Sequence, residues 1–295
     1  MILDGQEDVT AAVRLAMADT PDPRLHQIMD ALVRHAHAFI REVQPTEQEF
    51  EQGLDFLGAV GRACTDRHNE MVLFADVIGV STLACLLSDR RHGATEPAAA
   101  LLGAFWRDHS PVTQDGGSLL RSPTRGPKLF VRGVVREPDG RPVAGARVDV
   151  WHASPAGLYE HEDSGQAEMN LRGRFETDAE GGFRFVSVRP AAYPVPTSGP
   201  VGALLRAQRR YPFRPAHLHF LIHRPGYRTL VTQVFVNEDD LLERDIAFGV
   251  ARPLIGSLVH HDGPAPDGSV GEWYSLDHAF TLRRGRARLP RPPIA

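Results

Sequence analysis

With 295 residues, 42% of them hydrophobic, the chain is long enough to close one large domain or two smaller ones around a substantial core. A formal charge of -4 and a pI near 6.4 give no electrostatic reason to expect nucleic acid or an anionic membrane as partner. Two cysteines, Cys64 and Cys85, speak against a disulfide framework or a zinc–cysteine site and for a reducing cytoplasm. The opening MILDGQEDVT lacks the basic and apolar regions of a signal peptide, and no run of about 18 apolar residues occurs, so a soluble cytoplasmic protein is expected.

The first hundred or so residues read as helical. From Asp22 to Val43, Leu25, Ile28, Met29, Leu32, Val33, Ala36, Phe39 and Ile40 recur at spacings of three and four, which lays them on one face. Thr46 and Glu49 form a capping box opening a second helix that carries Phe50, Leu54, Phe56, Leu57 and Val60. The segment Glu70–Leu87 is apolar on most sides and reads as one central, buried helix, with Asp76 the charge inside it. A buried carboxylate needs either a partner or a function.

After Phe105 the character changes. Short β-type runs follow at Leu129–Val135, Ala146–Trp151, Gly182–Val188, Ala216–His223, Thr229–Val236 and Tyr274–Leu282, punctuated by glycine and proline. Without intervening amphipathic helices, they predict a mostly antiparallel β-sandwich. The expected organisation is a helical domain over residues 1–108 and a sandwich domain over 109–295. Pro138-Asp139-Gly140 is a hairpin turn signal, 190–210 reads as a long Pro-rich loop of functional kind, and the basic tail from Arg283 reads as a surface arm.

His217 and His219 stand two apart within Arg214-Pro215-Ala216-His217-Leu218-His219-Phe220. On a strand both imidazoles project to one face, about 6–7 Å apart along the chain, which suits half of a metal site. Taken singly, Tyr159, Tyr193 or either histidine is more readily a core or surface residue. His26, His35, His37, His68, His92, His109, His260 and His261 read as ordinary surface residues, whereas His152, beside Trp151, stands out.

The stretches DVWHASPAGLYEHED, LRGRFETDAEGGFRFVSVRPAAYPVPTSGPVG and YPFRPAHLHFLIHRPGYRTLVTQVF resemble the intradiol ring-cleavage dioxygenases, and the resemblance runs from about Arg14 to Ile255. It implies that Tyr159, Tyr193, His217 and His219 hold a ferric ion, with Arg214 and Gln233 at the substrate. Phenolates are hard anionic donors that favour Fe(III), and imidazole suits iron generally. The resemblance implies that a catechol-type diol displaces Tyr193, which then takes a substrate proton, and that O₂ attacks the ring carbon beside Arg214.

Within the family, the stretch from Tyr193 to Leu205 and the helical stretch Phe56–Gly79 look most like the hydroxyquinol (benzene-1,2,4-triol) 1,2-dioxygenases, with the catechol and chlorocatechol enzymes as alternatives. By that similarity Leu73, Asp76, Leu102, Gly103, Ala104, Phe105, Val195, Pro196 and Ala247 line the ring pocket. Gly103-Ala104-Phe105-Trp106 departs from the usual Gly-Pro-Phe/Tyr pattern, which bears on the pocket's width. The resemblance also implies a homodimer through the N-terminal helices with a phospholipid at the interface. The segment from Gly133 to Val148 is similar as well to transthyretin-like binding sandwiches, and a zinc hydrolase is a third reading; neither calls for two tyrosines beside two histidines.

Overall fold

The computed structural model describes residues 2–93 and 98–294. The chain divides into two compact units, residues 1–58 and 59–295. The first holds α1 (Gln6–Ala16), α2 (Pro23–Val43) and most of α3 (Glu47–Arg62). The Asp22 side chain accepts the backbone N–H groups of Arg24 and Leu25, with proline at the first position of α2, so that helix starts where its cap dictates. Thr46 and Glu49 close the expected capping box, Glu49 N donating to Thr46 Oγ1 at 3.2 Å and Thr46 N to Glu49 Oε2 at 2.8 Å.

The second unit opens with a departure from expectation. The apolar run after Asn69 is not one buried helix but two, α4 (Glu70–Val77) and α5 (Val80–Arg91), with axes 74° apart. Gly79 breaks the run: its φ of +74° is readily open only to a residue without Cβ. The break buries Leu73, Asp76 and Val77 on α4 and leaves Val80, Leu83 and Leu87 of α5 exposed. Among the described residues, no single helix is long and apolar enough to cross a membrane.

Two sheets follow. One runs β10 (Leu258–Pro264), β11 (Val270–Thr281), β1 (Lys128–Arg136), β4 (Gly182–Val188); the other runs β3 (Arg172–Glu176), β2 (Arg147–Trp151), β7 (His217–His223), β8 (Leu230–Val236), β9 (Ile255–Gly256). Most neighbours are antiparallel, but β1 pairs with β11, and β8 with β9, in parallel. Strands β3 and β10 were not among the expected runs, because Arg172-Gly173-Arg174 and His260-His261-Asp262-Gly263 lack a β-type composition.

The sandwich core is built from Leu129, Val131 and Val135 of β1, Val148 and Val150 of β2, Phe183 and Phe185 of β4, and Leu218, Phe220 and Ile222 of β7. The ring of Phe183 crosses β1 at Gly133, where any Cβ would lie 2.1 Å from it. Strand β7 is buried along nearly its whole length. Its even-numbered side chains enter the sandwich core, so His217, His219 and Leu221 belong to the other face.

Two more expectations are corrected on that other face. The segment from 190 to 210 is not a plain loop: it holds β5 (Tyr193–Pro194), paired with β6 (Phe213–Arg214), and α6 (Pro200–Ala207), started by its own proline. Nor is the tail a free arm, although Arg284, Arg286, Arg288 and Arg291 on it are exposed, as expected of a surface segment. Arg284 pairs with Glu137 at 2.7 Å, Arg288 N donates to Thr229 Oγ1, and Ile294 is buried among Phe105, Trp106, Trp151, Tyr159, Tyr193 and Leu221, with Leu289 packed beside it. One apolar residue at the end outweighs the basic composition that precedes it.

Candidate metal and substrate site

Each of the four expected donors is placed by local chain geometry. Register does it for His219: it pairs across β7 with Trp151 on β2 and Gln233 on β8, and directly opposed residues share a face. The Trp151 indole accordingly stacks on the His219 imidazole (centroids 4.7 Å apart, planes at 9°), while Gln233 Nε2 lies 3.4 Å from His219 Nδ1 and donates to Leu101 O at 2.8 Å. His217 is oriented by its Nδ1, 2.6 Å from the carbonyl of Pro215, which only a protonated Nδ1 can satisfy. The lone pair of His217 is therefore on Nε2, which sits 3.0 Å from His219 Nε2.

Tyr193 enters through the β5–β6 pairing, which sets it directly opposite Arg214, three residues before His217. Tyr159 follows a tight turn after β2 in which Gly157 (φ +76°) comes so near the Tyr193 backbone that a Cβ would lie 3.3 Å from Ala192 O and Tyr193 Cβ. The two phenol oxygens end 3.4 Å apart, and the Tyr193 and His217 rings are 5.6 Å apart. All four side chains are buried. Among the described residues, no three His, Cys, Asp or Glu side chains converge as a metal site, so the tyrosines are needed to complete one.

Burial dominates the electrostatics of the four side chains. Burial, then the neighbouring Tyr193, pushes the Tyr159 phenol well above its ordinary range, and burial raises Tyr193 too. Burial, helped by the Arg214 charge, holds His217 neutral down to about pH 3, and burial with His217 beside it holds His219 well below its ordinary range. Neutral imidazole is the ligating form, and a trivalent cation is what would reverse the phenols' reluctance to ionise. Two hard oxygens with two imidazole nitrogens fit ferric iron better than zinc.

The polar rim is equally specific. Arg214 is buried, with Nη1 3.3 Å from His217 Nε2 and Nη2 2.8 Å from Gln233 Oε1. Burial opposes its charge, but Asp245 outweighs that and keeps it protonated. Asp76, at the end of α4, is pushed up to about 6 by burial, against the opposing influence of Ser81 and Arg214.

Of the expected pocket residues, Gly103 (φ +73°) lies against His219, where a Cβ would be 3.2 Å from Cε1. Phe105 lies against the Tyr159 ring, centroids 4.7 Å apart and planes tilted by 47°, and Leu102 and Ala104 pack on the same cluster. Ala247 is buried next to Asp245, and Asp76 feels the Arg214 charge. Leu73 sits one turn before Asp76 on α4, and Val195 and Pro196 follow Tyr193, with Val195 N bonded to Pro212 O.

His152 takes no part. Its nitrogens go to Ala153 O and Ser187 Oγ, and burial holds it neutral down to about pH 4.

Two supporting groups had no visible sequence signal. Glu160 is buried against Arg172 (2.8 Å) and Arg107 (2.9 Å), and Arg172 Nη1 donates to Phe105 O, the far side of the Tyr159 wall. Asp245 grips Arg214 from 31 residues away. Charged residues at such separations look like any others until the chain folds.

The chain is similar to known proteins along most of its length. Residues 103–277 match the family model described as Dioxygenase, and residues 22–95 that for the catechol dioxygenase N terminus. A 6-chlorohydroxyquinol 1,2-dioxygenase of Cupriavidus pinatubonensis is 42% identical over 278 residues, covering 94% of this chain and 97% of that protein. A hydroxyquinol 1,2-dioxygenase of a Rhizobium species is 37% identical, covering 95% and 96%. The crystal structure of hydroxyquinol 1,2-dioxygenase from Pseudomonas putida superposes with a TM-score of 0.84 at 35% identity, over 95% of this chain and 99% of that one.

Proposed function

The chain belongs to the intradiol ring-cleavage dioxygenase family, and from that premise we propose that it opens the ring of benzene-1,2,4-triol with O₂ between the adjacent hydroxylated carbons. The product is 3-hydroxy-cis,cis-muconate, or its tautomer maleylacetate. The observation carrying the reading is the convergence of two phenol oxygens and two imidazole nitrogens, buried together beside one guanidinium.

Tyr159, Tyr193, His217 and His219 would hold ferric iron. When bound, iron supplies the positive charge that stabilises the diol as its dianion and makes the ring itself reactive toward oxygen. The chain's own residues supply the rest. Tyr193 Oη, on the side of Arg214, takes a substrate hydroxyl proton. Arg214 Nη1 faces the developing negative charge at the attacked carbon, and Gln233 steadies both Arg214 and His219. Phe105 and Trp151 keep water off the ring.

The third hydroxyl distinguishes the triol from catechol, and Asp76 is the group suited to accept it. Above its pKa of about 6 it is a carboxylate in a largely buried setting, and it forgoes that hydrogen bond when the hydroxyl is missing. The N-terminal 1–108 region would contribute these pocket residues and, through exposed Leu25, Ile28, Leu32 and Phe39, a homodimer contact able to hold a phospholipid. A cytoplasmic location is consistent with Cys64 and Cys85 being free thiols.

The test is an anaerobic titration of the iron-loaded protein with benzene-1,2,4-triol and with catechol, followed by oxygen. Ring-opened product from the triol with slow turnover of catechol is expected; fast turnover of catechol alone would refute the triol assignment.

A further inference from the structure

Asp245 is buried, and the guanidinium its carboxylate holds is that of Arg214, not of the adjoining Arg244. Its Oδ1 accepts Arg214 Nε at 3.1 Å and its Oδ2 accepts Arg214 Nη2 at 3.1 Å, a side-on bidentate grip. Gln233 Oε1 takes Nη2 as well, at 2.8 Å. With that edge of the guanidinium consumed, Nη1 is the corner left to point inward, 3.3 Å from His217 Nε2.

The same carboxylate holds a pocket loop. Ala247 N donates to Oδ1 (3.2 Å) and Gly249 N to Oδ2 (2.8 Å), while Thr82 Oγ1 donates to Ala247 O at 2.8 Å. Phe248 between them is held at φ +55°, a conformation a bulky residue keeps only when its surroundings impose it. At position 249 a Cβ would lie 3.0 Å from Arg214 Nη2 and 3.1 Å from Asp245 Oδ2, so even a methyl group would press on the pair.

We infer that Asp245 is a positioning residue: it aims Arg214 Nη1 at the reacting carbon and couples that aim to the loop bearing Ala247. The inference rests on the role proposed above for Arg214. Two oxygens gripping Nε and Nη2 stop rotation of the planar guanidinium, which a single acceptor cannot do. The carboxylate's bonds go to Arg214, Ala247 N and Gly249 N and not to the four donors, so it acts through Arg214.

The test uses the full, iron-loaded chain and three variants: Asp245→Asn, Gly249→Ala, and Asp245→Asn in an Arg214→Gln background. Asp245→Asn is expected to lose at least about tenfold in kcat for benzene-1,2,4-triol, with iron content and KM near wild type. Gly249→Ala keeps both charges, so it remains informative where the buried Asn costs too much stability; it is expected to lower kcat in the same direction. In the Arg214→Gln background, Asp245→Asn should cost nothing further, whereas a merely structural carboxylate costs the same in both backgrounds.

A kcat within about twofold of wild type in both single variants overturns the inference, as does an undiminished loss in the Arg214→Gln background. Wild-type protein that opens neither triol nor catechol overturns the proposed activity instead. Crystal structures of wild type and Gly249→Ala then decide positioning by themselves: a displaced Nη1 supports it and an unmoved one ends it.

Discussion

The indole of Trp151 lies flat on the imidazole of His219, centroids 4.7 Å apart, because cross-strand register puts the two residues directly opposite each other. The stack fixes the ring plane of one of the four proposed donors from outside the donor set. Trp151→Leu removes it and leaves a void in a fully buried position, costing about 3 kcal/mol or more. Iron content per chain should fall with it. Chemical denaturation and metal analysis of the same preparation check both, and full iron occupancy would remove Trp151 from the site's support.

Tyr193→Phe keeps the ring and deletes only the oxygen 3.4 Å from Tyr159 Oη. The variant should retain iron at reduced affinity, shift the visible phenolate absorption and slow substrate deprotonation. An unchanged spectrum with unchanged turnover would take Tyr193 out of the donor set.

Asp76 gives a prediction whose sign depends on burial. Its carboxyl is raised from 3.8 to about 6 in the folded chain, so the fold favours the protonated form. The resulting stability is fully present below about pH 4 and lost as pH rises through about 6. Asp76→Asn should therefore stabilise the metal-free protein at pH 7 by up to about 3 kcal/mol relative to wild type. It should also lower the preference for triol over catechol by at least about tenfold in kcat/KM. Melting curves at pH 4 and pH 7 test the first, competition kinetics the second.

Glu160 runs the other way. Burial pushes its carboxyl up, but His161, Arg172 and Arg107 outweigh burial and hold it at about 2. Its contribution is present above the unfolded value of 4.5 and disappears as pH falls toward about 2. Glu160→Gln leaves the fully buried Arg172 without its carboxylate and should cost about 3–5 kcal/mol. A urea midpoint unchanged from wild type at pH 7 would contradict this. Because Arg172 also bonds Phe105 O, the variant should in addition loosen the wall beside Tyr159.

Local structure is legible where one residue's neighbours in sequence are also its neighbours in space. The three-and-four apolar spacing up to Val43 and the box of Thr46 and Glu49 are of that kind. The single buried helix expected from 70 to 87 failed for a comparable reason: one glycine in the left-handed region outweighed a long apolar run, and hydrophobicity alone does not register φ. The basic tail lies on the surface as its composition suggests, but the apolar anchor at Ile294 is not announced by that composition.

What the sequence by itself determined is the inventory of chemistry: two tyrosines, a histidine pair with its arginine, and the family to which they belong, since donor type and short-range spacing are written residue by residue. What only the tertiary structure decided is which distant groups complete them. The grip of Asp245 on Arg214, the stack of Trp151 on His219 and the pairing of Glu160 with Arg172 arise from strand register and loop closure. These contacts join residues a dozen or more positions apart, and no local pattern in the chain encodes which of its many charged and aromatic side chains will meet.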